Sequence, residues 1–230
     1  DAIGPDLISQ LDAYLSGVNS SAVIDGALVD ANDIYGTVGD DAIDGTGSGE
    51  TIFGGDGNDT INSLGGDDTL YGGNGDDSLN GSAGNDILYG QDGNDFIRAT
   101  SGNNELHGDS GQDTIRGAGG EDSAYGGAGD DDIRTYSGDD LIYGGGGSDY
   151  IDGGNGNDVI DGGSEADIIK GDDGQDTLIG GAGSDTLFGG NGSDIFGFSP
   201  EEDTTDNIQD FNLAEDVLNI TDILTGFSGT

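Results

Sequence analysis

The chain has 230 residues, of which 50 are glycine and 48 are Asp or Glu against 4 Lys or Arg, for a formal net charge of −44. Hydrophobic residues make up only 31%, too few for a conventional core, and the charge argues against nucleic acid or an anionic membrane surface as a direct partner. Without cysteine there is no disulfide or thiolate-metal site, and no apolar run approaches the ~20 residues of a membrane span.

The first 35 residues stand apart in composition. Leu7, Ile8, Leu11, Tyr14 and Leu15 fall at helical spacing. Pro5 suits a first helical turn and Gly17 a stop, so a short amphipathic helix is predicted over 5–15. Segments 22–29 and 33–35 read as short strands leading into the glycine-rich body of the chain. The segment 1–35 is expected to act as an N-terminal cap, because repeat arrays need one. A chain that opens on Asp1 reads as a fragment or a processed product.

Gly36 opens a period of nine that runs without insertion or deletion to Gly197, giving 18 nonapeptides. Position one is Gly except at Ser63, Ala99 and Thr135, and position four is Gly except at Ser48 and Glu165. Position six is Asp at Asp41, Asp59, Asp68, Asp77, Asp86, Asp95, Asp113, Asp122, Asp131, Asp140, Asp149, Asp158, Asp167, Asp176, Asp185 and Asp194, and is replaced by Glu50 and Asn104. Position eight is Ile or Leu except at Ala124 and Phe196. Glycine permits the positive φ angles and close backbone approach of tight turns, which aim carbonyl oxygens inward. A carboxylate in each turn adds charged oxygens, and many oxygen ligands on a flexible loop suit Ca²⁺ better than Mg²⁺ or Zn²⁺. Positions seven to nine are predicted to form a very short strand with position eight inward.

A strong copy reads Gly54-Gly55-Asp56-Gly57-Asn58-Asp59-Thr60-Ile61-Asn62, the pattern G-G-x-G-x-D-x-U-x with U a large aliphatic. On that pattern, repeated in one phase over 36–197, the sequence resembles the RTX (repeats-in-toxin) family of type I-secreted bacterial proteins. The resemblance implies an all-β fold, a right-handed parallel β-roll (β-solenoid) in which two nonapeptides make one 18-residue coil. Its turns would stack along two edges, with Ca²⁺ between turns of successive coils. The ligands would be the position-six carboxylates and turn carbonyls, including those of Gly54, Asp56, Gly72, Asn74, Gly126, Ala128, Gly144, Gly146, Gly153, Asn155, Gly162, Ser164, Gly180, Ala182, Gly189 and Asn191. Two edges would offer up to about 16 ions.

One aliphatic per nine residues buries too little to offset the ordering of so much glycine, so the calcium-free chain is expected to be disordered and to fold on binding Ca²⁺. Sites are expected to be weak or missing at Glu50, at Ser63-Leu64, at Ala99-Thr100 with Asn104, and at Thr135-Tyr136. The stretch from Gly144 to Asp194 should be best occupied.

Position nine sorts by edge. One row carries Tyr35, Phe53, Tyr71, Tyr89, His107, Tyr125 and Tyr143. It reads as stacked surface rings that stiffen a sheet, with a glycan platform as the alternative. The other row carries all four basic residues, Arg98, Arg116, Arg134 and Lys170. It reads as solvated charge, with an acidic polysaccharide as the alternative partner, since alginate epimerase R-modules resemble this repeat.

The segment 198–230 reads as a C-terminal cap. Asp203, Asp206 and Asp210 read as solvated carboxylates, with a further ion as the alternative. The chain lacks H-E-x-x-H and G-x-S-x-G and has one His, so no enzyme is expected. The favoured reading is a monomeric, calcium-responsive module of a secreted bacterial protein, outside the cell or on its surface, within a large adhesin. The resemblance implies transient contact with the type I secretion machinery. Alternatives are a polysaccharide-binding module and the C-terminal secretion domain of an RTX lipase or protease. Ice binding is disfavoured, because no long regular Thr or Asx row is present.

Overall fold

The computed structural model describes residues 32–198 and 205–220, with the backbone of 23–24 and 27–28. The helix predicted over 5–15 lies outside the described residues. Val23–Ile24 and Ala27–Leu28 pair antiparallel.

The rest of the described chain is a parallel β-solenoid. Eleven strands, from Asp33–Tyr35 to Val217–Asn219, form one sheet, and ten, from Ala42–Asp44 to Asn207–Ile208, form the other. The chain alternates between the sheets, so each strand pairs with those two places away in sequence. The register through the array is 18 residues: Ile97 pairs with Ile115, and Leu106 with Ala124. Two nonapeptides therefore make one coil, and turns stack along two edges. No α-helix occurs among the described residues.

Most strands are longer than the three residues predicted. Thr51–Asp56, Thr69–Asn74 and Leu141–Gly146 each span six. The reason is that pairing continues past position nine. The Gly36 N–H donates to the Phe53 carbonyl, and the Gly57 N–H to that of Asn74. Positions one to three thus extend the ladder, and the bend comes only after them.

The core is a single file. From Ile52 to Phe196, every position-eight side chain is fully buried. Ile34, Ile43, Phe198, Ile208 and Phe211 close the two ends of that file. Each coil contributes one residue from each sheet, so the interior is only two side chains thick. The loops that flank it consequently carry much of the remaining buried surface.

Candidate metal sites in the stacked loops

The position-six acids are buried, at no more than 3% exposure for every Asp from Asp59 to Asp194 in the repeat phase. Each acid uses one oxygen in a fixed way. The backbone N–H of Asp59 donates to Asp77 Oδ1 at 2.7 Å, that of Asp77 to Asp95 Oδ1 at 2.7 Å, and the pattern continues along both edges. Position-six carboxylates thereby serve the amide of the preceding coil.

The second oxygen is different. In fourteen loops Oδ2 is buried without a hydrogen-bond partner: Asp59, Asp68, Asp77, Asp86, Asp95, Asp113, Asp131, Asp140, Asp149, Asp158, Asp167, Asp176, Asp185 and Asp194. A buried acceptor without a donor is costly, and an ionised one more so. Burial pushes Asp95, Asp131, Asp158 and Asp167 up to about 7, and Asp77, Asp86, Asp113, Asp149 and Asp176 to about 6. Acids in adjoining coils add to this in most cases, as Asp113 and Asp77 do for Asp95.

Position-one glycine leaves the space beside that oxygen. A Cβ added at Gly72 would run into Asp77 Oδ2 and would lie 2.7 Å from the Gly90 carbonyl oxygen. The same arrangement recurs at Gly54, Gly108, Gly126, Gly144 and Gly162. Each such cradle holds a carboxylate oxygen and a carbonyl oxygen from the next coil. Among the described residues no three acidic or histidine side chains converge on one point, so backbone carbonyls must complete any ligand set. Oxygen-only donors with uncompensated negative charge fit a hard divalent cation, calcium above all.

The predicted turn residues divide. Position-one carbonyls border the cradles. The position-three carbonyls of Asn74, Ala128, Gly146 and Asn155 accept a hydrogen bond from the position-four N–H of the preceding coil, which leaves one lone pair each. At Ser63 and Thr135 a hydroxyl replaces the open space and donates to the Gly81 carbonyl at 2.8 Å and the Gly153 carbonyl at 3.0 Å. Asn104 donates through Nδ2 to Asp122 Oδ1 at 2.8 Å.

Sequence reasoning missed position five. Its Asn and Asp side chains accept from the following coil: the Asn58 N–H donates to Asp40 Oδ1 at 2.9 Å, and the Asp76 N–H to Asn58 Oδ1 at 3.1 Å. The excess of Asn and Asp at that position was the available signal. Asp206 is half-exposed and Asp210 exposed, and both are also tied to the last coil of the array. Asp206 Oδ1 accepts from the Asp185 N–H at 3.1 Å, and Asp210 accepts from the N–H groups of Gly189 and Gly190 at 2.9 and 3.0 Å. Asp203 lies outside the described residues.

The position-nine rows fall on opposite faces. From Tyr35 to Tyr143 seven rings stack with centroids 4.6–5.5 Å apart and planes within 19°. Their faces cover one another, so the row presents edges to solvent. His107 also lies 2.8 Å from Glu105 Oε1. On the other face Asp132 pairs with Arg116 at 2.7 Å and with Arg134 at 3.1 Å. Arg134 and Lys170 sit over the Tyr150 ring at 4.9 and 5.1 Å. Arg98 is exposed.

The model of the RTX calcium-binding nonapeptide repeat (4 copies) matches in overlapping stretches, 29–61, 44–79, 62–97, 71–106, 89–124, 98–133, 125–160 and 161–196. No curated protein matches the chain.

Proposed function

Because the chain belongs to the RTX calcium-binding nonapeptide repeat family, we propose that calcium is held between successive loops at the position-six acids and is what makes the roll stable. The observation that carries this reading is the row of fourteen buried carboxylate oxygens without a donor, repeating with the coil. Asp59, Asp77, Asp95 and their counterparts would hold the ions together with position-one carbonyls such as those of Gly72 and Gly90. A bound cation neutralises the charge that burial penalises, so ion binding and folding are one equilibrium.

RTX repeat proteins are typically secreted, and this coupling gives export a physical basis. Where free calcium is scarce the chain stays extended and passes a narrow channel. Where calcium is plentiful it folds and does not slip back. The roll then serves as a structural module of a larger surface protein such as an adhesin.

Titration of the chelated chain with calcium, followed by circular dichroism, tests this. A cooperative gain of β signal is expected with Ca²⁺ and not with equal Mg²⁺. A chain that takes up no calcium at millimolar concentration sinks the reading. Pulse-labelled export of an Asp95→Asn/Asp113→Asn/Asp131→Asn variant tests the secretion arm, which requires slower release.

A further inference from the structure

Position two sorts the eighteen loops into two classes. In fourteen the residue there is left-handed: eight glycines, and Leu64, Ser82, Gln91, Asp109, Tyr136 and Asp172 at φ between 61° and 79°. In the other four, at Thr37, Thr46, Thr100 and Ala118, it is not. The fourteen left-handed loops are the same fourteen that hold an orphaned Oδ2.

In the four remaining loops the position-six group is satisfied by its surroundings. The Thr37 N–H and Oγ1 both donate to Asp41 Oδ2, at 2.6 and 2.9 Å. The Thr46 N–H donates to Glu50 Oε2 at 3.3 Å, and its hydroxyl donates to Oε1. The Ala118 N–H donates to Asp122 Oδ2 at 3.3 Å. Asn104 has no charge, and its Nδ2 donates to the Gly102 carbonyl at 3.0 Å. Three of the four residues are threonine, whose branched Cβ resists positive φ. Its hydroxyl supplies a second donor at Asp41 and Glu50.

We propose that position two selects between a cation-holding loop and a self-sealed one, and that the loops of Thr37, Thr46, Thr100 and Ala118 take no calcium. The inference rests on the reading that the orphaned carboxylates hold calcium. Its consequence is an asymmetric ion array. One edge is continuous over eight loops, from Asp59 to Asp185. The other is broken into Asp68–Asp86 and Asp140–Asp194. The first coil is sealed on both edges.

The test is a count of bound ions. Thr37→Gly and Ala118→Gly each complete the glycine pattern around an acid already in place, Asp41 or Asp122. Native mass spectrometry in saturating calcium, with folding checked by circular dichroism, should show one more ion in each variant and two more in the double variant. Counts equal to the unsubstituted chain overturn the inference while leaving calcium binding itself intact. A parent chain that binds no calcium overturns the underlying reading instead. A calcium-loaded crystal of the unsubstituted chain gives a second readout that needs no variant. Anomalous peaks are expected beside Asp59 and Asp158 and not beside Asp41, Glu50, Asn104 or Asp122, and a peak at Asp122 overturns the inference.

Discussion

Withdrawal of calcium should unfold the roll at neutral pH, and acid should partly reverse that. Fourteen buried carboxylate oxygens lack a donor. At the low end of about 1–3 kcal/mol for each unsatisfied buried polar atom, the total already equals the ~5–15 kcal/mol by which a domain is stable. The sign with pH is set by burial. Asp95, Asp131, Asp158 and Asp167 are raised to about 7 in the metal-free fold, against ~3.9 for an exposed Asp in the unfolded chain. Protons therefore bind the folded state first. Their contribution is fully present below pH ~4 and is lost as pH rises through 6 to 7. In excess chelator the far-ultraviolet β signal should be absent at pH 8 and should grow on acidification to pH 5. With calcium present the trend inverts, because protons compete for the same oxygens. A chelated chain equally folded at both pH values, or better folded at pH 8, refutes the argument.

Core and cap give further tests on the calcium-loaded roll. Ile142→Ala should cost about 2–5 kcal/mol, read as a drop in denaturant midpoint, because a file two side chains thick has no neighbour to refill the void. Asp216→Ala should cost about 1 kcal/mol, as a lost helix cap does, because Asp216 Oδ1 accepts the Asp194 N–H at 3.1 Å. Gly72→Ala should weaken calcium binding, read as a higher calcium midpoint for folding, since its methyl enters the cradle of Asp77.

The coil was legible because its information is periodic. A nine-residue repeat with one aliphatic in phase gave the buried file from Ile52 to Phe196, and the RTX resemblance supplied the 18-residue register. What escaped sequence reading was conformational. Leu64, Gln91 and Tyr136 are left-handed although not glycine, because neighbouring coils impose the turn. Ala118 looks a harmless substitution, yet its loop is sealed. Asp206 lies 21 residues beyond Asp185 and Asp216 lies 22 beyond Asp194, so their roles fall outside any search by period.

The roles of Asp206 and Asp216 follow from the polarity of the position-six ladder. Each loop offers its N–H to the carboxylate of the coil after it. The last coil of the array accordingly has amides with no acceptor, and Asp206 and Asp216 supply acceptors from outside the period. At the opposite end the shortage is of donors: Asp41 and Glu50 give an oxygen to no coil earlier in the array, since none precedes Gly36 in phase. Thr37 and Thr46 supply those donors from within the loop. Apart from the loops of Asn104 and Asp122, the interior loops have neighbours on both sides and still keep one oxygen unpaired. The ends of the array are thus closed by protein groups, and the unmet demand of the interior is left for the cation.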